Sequence, residues 1–224
     1  MTRSADALRL AGDGDTIEVL HGTYSGDVAV IHQRRLDIVG LGAQPVLDAA
    51  GRHAEGKAIW VVRDGDIRIH NIGFRSARVP DSNGAGIRFE RGRLQLQACS
   101  FHDNQNGILT GADIHSVLEI NHCQFSHAPE TPATPPHLLY IGRIGLFVMR
   151  DSLLQQGNDG HLGQVTRTRN TVDWQPTGQR HQRPAAKQHG CPQQPQPLAG
   201  ARQPGAGAAR RVQRRCPRPG AAAG

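Results

Sequence analysis

No stretch of the chain approaches ~18 consecutive apolar residues, which excludes a transmembrane helix. There is no basic start followed by an apolar segment and a small-residue cleavage site, so no signal peptide is read in it and the compartment stays open. Cysteine is scarce, four in 224 residues, too few for a disulfide scaffold. Lysine is scarcer still, with Lys57 the single one before residue 164. Acidic residues almost vanish from the last quarter. Residues 1–163 carry 15 Lys+Arg against 18 Asp+Glu, whereas residues 164–224 carry 11 against Asp173 alone. The overall charge of +7 therefore belongs to the end of the chain, and the body is mildly acidic.

What is present is a repeat. Ile67-Arg-Ile-His-Asn-Ile-Gly-Phe74, Leu94-Gln-Leu-Gln-Ala-Cys-Ser-Phe101, Leu118-Glu-Ile-Asn-His-Cys-Gln-Phe125 and Leu146-Phe-Val-Met-Arg-Asp-Ser-Leu153 share one alternating pattern closed by an apolar residue. Their closing residues are 27, 24 and 28 positions apart, and a weaker copy begins at Leu36-Asp-Ile38. Alternation with period 2 marks strands with one apolar and one polar face. A second apolar column, Ile59, Ile87, Ile108 and Leu139, precedes the main strands, and Gly160-His-Leu162 opens a further turn. Turn formers such as Asp64-Gly65-Asp66 and Arg91-Gly92-Arg93 separate the columns.

A period of 24–31 residues without helical periodicity predicts an all-β chain, a right-handed, single-stranded parallel β-helix of five to six coils. One coil cannot bury its apolar face or pair its backbone alone, so neighbours must do both. The leucine-rich frame is absent, and a β-sandwich has no reason to repeat at a near-fixed interval. Ile67, Leu94, Leu118 and Leu146 are expected to form one inward ladder, and Ile69, Leu96, Ile120 and Val148 another. Phe74, Phe101 and Phe125 are expected to stack beside Cys99 and Cys123. Those two thiols take equivalent places in successive coils, as buried fillers or, by distance, as a disulfide. Ser4 is read as the N-cap of a short helix, Ala5–Leu10, that buries Leu8 and covers the first sheet edge.

Asp15-Thr-Ile-Glu-Val-Leu-His-Gly-Thr-Tyr24 resembles the opening coil of right-handed parallel β-helix proteins, the pectate-lyase-like superfamily. The frame at 67–74 and its copies resemble that group's later coils, and the likeness covers residues 4–163. The resemblance implies a carbohydrate-related role, binding or modifying an acidic polysaccharide with lyase-like or epimerase-like chemistry. The alternative is a non-catalytic repeat scaffold for surface or protein interaction, or an inactive fragment. Fold alone does not choose between these.

The body is assigned to residues 1–163. Residues 164–224 hold eight of the fourteen prolines, ten glutamines and four residues from Ile, Leu and Val, a composition that predicts disorder. Its bias also resembles a GC-rich reading frame shifted out of register, giving a truncated or frameshifted member of the group. Such a tail offers the last coil no lid, so end-to-end self-association is expected. Without interleaved aromatics, zinc spacing or a reader motif, nucleic acid is not an expected partner.

On the outward positions of the main strands lie Arg68 and His70, Gln95 and Gln97, Glu119 and Asn121, then Phe147 and Met149. The first six form a polar stripe expected to bind substrate, with amides meeting hydroxyls and Arg meeting carboxylates. By residue type, His137, Tyr140 and Arg143, with His161 one coil further on, resemble the His/Tyr/Arg chemistry of uronate lyases and are the catalytic candidates. Lys57 leaves a lysine base almost no candidate; Arg88 is a further carboxylate partner by type. No cofactor is expected. Asp103-Asn-Gln-Asn106 has oxygens that suit Ca²⁺ but reads equally as a turn, and no histidine pair has zinc spacing.

Overall fold

The computed structural model describes residues 3–127, 137–155, 161–162 and 165–172, all within one compact unit spanning residues 1–180. Strands, numbered in chain order, fall into three parallel sheets. Sheet A stacks β1 (Thr16–Val19), β4 (Arg35–Gly40), β7 (Asp66–His70), β10 (Arg93–Gln97), β13 (Asp113–Asn121) and the first part of β16 (Ile144–Gln155). Sheet B stacks β2 (Thr23–Ser25), β5 (Val46–Asp48), β8 (Gly73–Arg75), β11 (Ser100–His102), β14 (Gln124–Ser126) and the end of β16. Sheet C stacks β3 (Ala29–Ile31), β6 (Ala58–Val62), β9 (Ala85–Phe89), β12 (Asn106–Thr110), β15 (His137–Ile141) and β17 (His161–Leu162). Each turn visits A, B and C in that order, about five turns in all, so the chain is a parallel β-solenoid. Backbone pairing continues past residue 163, because β18 (Val165–Val172) pairs with β16.

The ladders explain why these sequences wind. Leu36, Ile67, Leu94 and Leu118 stand in register on sheet A, as do Ile17, Ile38, Ile69, Leu96 and Ile120. All are buried, and each such side chain contributes about 1.5–3 kcal/mol on leaving water. Sheet B aligns Leu47, Phe74, Phe101 and Phe125. Phe74 and Phe101 stack at 5.1 Å and 10°, and Phe101 and Phe125 at 4.6 Å and 2°. Trp60 meets Phe74 edge-on at 5.2 Å. Cys99 and Cys123 are buried beside these rings as free thiols.

Three expectations are corrected. The fourth repeat is displaced by one residue: Leu118 faces Phe147 and Ile120 faces Met149, while Phe125 faces Leu154. Phe147 and Met149 are thus inward and buried, and Leu146 and Val148 occupy the other phase. The physical reason is that Leu146-Phe-Val-Met149 is apolar in both phases, so alternation carries no information about which residues turn inward. A register shift between Asp113 and Val117 of β13 lets the chain select the two larger side chains for the interior. In sheet C the in-register partner of Ile87 is Trp60, not Ile59; both are buried.

The third correction concerns the helix α1 (Ser4–Leu10). Arg3 occupies the N-cap position without a side-chain cap, and Ser4 is already helical. Capping comes from the first coil: the buried Asp27 carboxylate accepts the Ser4 N–H at 2.6 Å and the Ala5 N–H at 3.0 Å. At the other end Gln33 donates to the carbonyls of Leu8 and Ala11, at 2.8 and 2.9 Å. A charged acceptor at a helix N-terminus is favoured by the dipole, and here it also fastens the lid to the coil. Leu8 is buried by this docking, as expected.

Corners between sheets C and A depend on glycine at two levels. Gly65 and Gly92 have φ of +91° and +96°. A Cβ on Gly92 would lie 2.4 Å from the Gly65 carbonyl oxygen, and one on Gly65 2.4 Å from that of Gln33. Only hydrogen fits between corners stacked one rung apart, at about 4.8 Å.

Candidate functional site

An open groove of about 430 Å³ runs along the outer face of sheet A. It is lined by Thr16, Asp37 and Val39, then Arg68 and His70, Gln95 and Gln97, and Asn121, with Ile38, Ile69 and Leu96 beneath. Parallel register makes these rungs. Asp37, Arg68, Gln95 and Glu119 form one outward column, and Val39, His70, Gln97 and Asn121 the next. Rungs recur at about 4.8 Å, so a polymer laid along the solenoid axis meets a new pair of side chains at each step.

The first column is tied together laterally. Arg68 Nε donates to Gln95 Oε1 at 3.0 Å, and Gln95 Nε2 to Glu119 Oε2 at 3.3 Å. Glu119 also pairs with Arg93. The Arg68 guanidinium lies 3.7 Å from Asp37 and 3.6 Å from Asp66, and its side chain is half exposed. These contacts hold it upright rather than bury it: Nε is taken by Gln95, and the two terminal nitrogens lie near the Asp37 and Asp66 oxygens, beyond hydrogen-bond distance. Of the second column, His70 and Gln97 are exposed and Asn121 is half-buried.

All six residues of the sequence-derived stripe therefore share one face: five line the groove and Glu119 braces it. Asp37, Thr16 and Val39 were not among them. Asp37 was open to discovery by extending the alternation to Leu36-Asp-Ile38, whose middle residue must share the phase of Arg68.

No protein-family model matches the chain, and no curated protein does.

The catalytic candidates sit elsewhere. Tyr140 is on sheet C, paired in register with Leu109 and His161, and packs at the edge of an apolar cluster that includes Leu109 and lies outside the solenoid interior. The His137 ring meets the Tyr140 ring at 5.5 Å and 67°. Arg143 is exposed in the turn between β15 and β16. His161 is one coil on from Tyr140 at the backbone, as the repeat implied. The fold thus places His137, Tyr140 and His161 on sheet C, while the stripe occupies the outer face of sheet A.

A second hollow, of about 500 Å³, lies where sheet C turns toward sheet A and is lined by Arg63, Arg88, Glu90, Arg91 and Asp113 among others. Its cations are matched in place. Glu90 takes Lys57 at 3.0 Å and Arg88 at 3.3 Å, and Arg91 takes Asp64 at 3.0 Å. Burial of the Glu90 carboxyl pushes its pKa up, but Lys57 and Arg88 outweigh this and hold it below the ordinary value. Arg88, a carboxylate partner by type, is thereby engaged.

The Asp103–Asn106 segment works as a clamp. Asn104 accepts the Ala77 N–H at 2.9 Å and donates to the Phe74 carbonyl at 3.0 Å. Gln105 Oε1 accepts the N–H groups of Val79 and Gly84, both at 2.8 Å. Asp103 pairs with Arg78 at 2.9 Å. These oxygens are occupied in holding the 76–84 loop to the next coil. Among the described residues no group of three or more His, Cys, Asp or Glu is arranged to hold a metal ion, and no helix is long and apolar enough to cross a membrane.

Proposed function

We propose that this solenoid binds an acidic polysaccharide along the outer face of sheet A, in the manner of the pectate-lyase-like proteins its coils resemble. The observation that carries the reading is the polar ladder of Arg68, His70, Gln95, Gln97 and Asn121 along one open groove. Arg68 offers bidentate hydrogen bonds to a uronate carboxylate, and the amides offer donors and acceptors to ring hydroxyls. Consecutive rungs suit a chain-like ligand better than a compact one.

Binding is better supported than elimination. The residues that resemble a lyase's His/Tyr/Arg set lie off the groove, so a sugar seated against Arg68 has no such acid or base from them. The non-catalytic reading gains from the same separation.

Titration of the full chain with an acidic polysaccharide and with a neutral glucan tests the proposal. Saturable binding of the acidic polymer is expected, weakened by salt and reduced about tenfold or more in Arg68→Ala. Equal affinity for the neutral glucan, or an unchanged Arg68→Ala, overturns it. Ultraviolet absorbance of an unsaturated product, followed with the same polymer, decides between binding and elimination.

A further inference from the structure

The charges along the groove fix which kind of acidic chain fits it. Read rung by rung, the first outward column runs Thr16, Asp37, Arg68, Gln95, Glu119, Val148 and the second runs Glu18, Val39, His70, Gln97, Asn121, Arg150. Arg68 provides the only fixed positive charge in the lining. On one side it is followed by two amides, and on the other it is preceded by a carboxylate. Two rungs beyond it stands Glu119, which braces Gln95. Of the other cations on this face, Arg93 is engaged by Glu119 and the exposed Arg150 stands one rung past Asn121, three rungs from Arg68; Arg68 itself is already flanked by Asp37 and Asp66 at 3.7 and 3.6 Å.

A polymer with a carboxylate on every sugar cannot satisfy this pattern. With one carboxylate on Arg68, its next charge in one direction falls against the Asp37 rung, and in the other it passes Gln95 and meets Glu119, an acid whose charge Arg93 shares. Like charges one rung apart, about 4.8 Å, repel even at the surface of a protein. Neutral sugars at those positions meet hydrogen-bond acceptors at Asp37 and Glu119 and amides at Gln95, Gln97 and Asn121, without repulsion. The lining also holds no Phe, Tyr or Trp, so a wholly neutral glycan finds no large apolar ring to stack on and leaves Arg68 unused.

We infer that the groove selects a heteropolysaccharide in which an isolated uronate is flanked by neutral sugars, in preference to a polyuronate or a neutral glycan. The inference rests on the glycan-binding reading and sharpens its ligand class.

Three probes on the full chain separate the two claims: a polygalacturonate homopolymer, a heteropolysaccharide with one uronate in each repeating unit of several sugars, and a neutral glucan. The heteropolysaccharide is expected to bind about tenfold more tightly than either of the others. Asp37→Asn and Glu119→Gln keep the side-chain shapes while removing the repelling charges, the second at the loss of one of the two oxygens that accept from Arg93 and Gln95. Together they should raise polygalacturonate affinity to near that of the heteropolysaccharide. If polygalacturonate binds the unaltered chain most tightly, or the double variant leaves its affinity unchanged, the selectivity is refuted while acidic-glycan binding stands. If neither acidic probe binds above the glucan, both claims fall together.

Discussion

Phe147→Ala and Leu146→Ala form a matched pair that tests which side chains of the fourth repeat turn inward. Phe147 is 2% exposed and stands in register with Leu118, whereas Leu146 is only half-buried and faces Val117. Truncating a buried Phe to Ala removes its transfer energy and leaves a cavity that the rigid ladder cannot close, at a cost of about 3–5 kcal/mol. Truncating a half-buried Leu removes roughly half of the ~1.5–3 kcal/mol for full burial, about 1 kcal/mol. Urea unfolding followed by circular dichroism, at unchanged slope, reads both numbers directly. A gap of about 2–4 kcal/mol in favour of Phe147 is expected. Equal losses, or a larger loss for Leu146, would falsify the register and restore the inward ladder of Leu146 and Val148.

The lid and the buried imidazole give two further tests. Asp27→Ala leaves the Ser4 and Ala5 N–H groups without their acceptor and should cost about 0.5–2 kcal/mol, with loss of helical ellipticity; an unchanged midpoint refutes the docking of α1. His127 is buried, its Nδ1 3.7 Å from an Asp103 oxygen, and burial lowers its pKa below the ordinary 6.5, with Asp103 opposing and Arg78 and His102 assisting. Because the folded state binds the proton less readily than the unfolded chain, this contribution is present above about pH 6.5 and is lost as pH falls below it. His127→Gln should therefore flatten the fall in urea midpoint between neutral and mildly acidic buffer, and an undiminished fall rejects that assignment.

The winding of the chain was legible because stacking demands the same class of residue at the same place in every coil. Ile67, Leu94 and Leu118 obey that demand with polar neighbours between them, and so do the three stacked phenyl groups. It failed locally where the pattern lost contrast. In Leu146-Phe-Val-Met149 every residue is apolar, so local order alone cannot fix the phase; the shift in β13 and the size of the competing side chains do. The cap of α1 was hidden for another reason. Ser4 is the residue type that caps helices locally, but the acceptor came from Asp27, brought there by the first coil, 23 positions away.

The groove and the catalytic candidates differ in legibility through the geometry of a solenoid. Positions one coil apart, such as Arg68, Gln95 and Glu119, lie side by side although 24–27 residues separate them. Positions a few residues apart turn a corner, and His137, Tyr140 and Arg143 run along sheet C and into the bend beyond it. Density of reactive residue types along the chain is therefore a poor guide to a site in this fold, whereas recurrence at the coil period is a good one. An acid or base acting on a sugar held by Arg68 must come from the rungs of sheet A, where His70 is the imidazole that faces the groove. If the glycan binds as proposed, His137→Ala and Tyr140→Phe should leave its affinity intact. If either abolished binding while the melt stayed unchanged, the ligand would have to lie across sheet C, and the rung-by-rung account of recognition would fail with it.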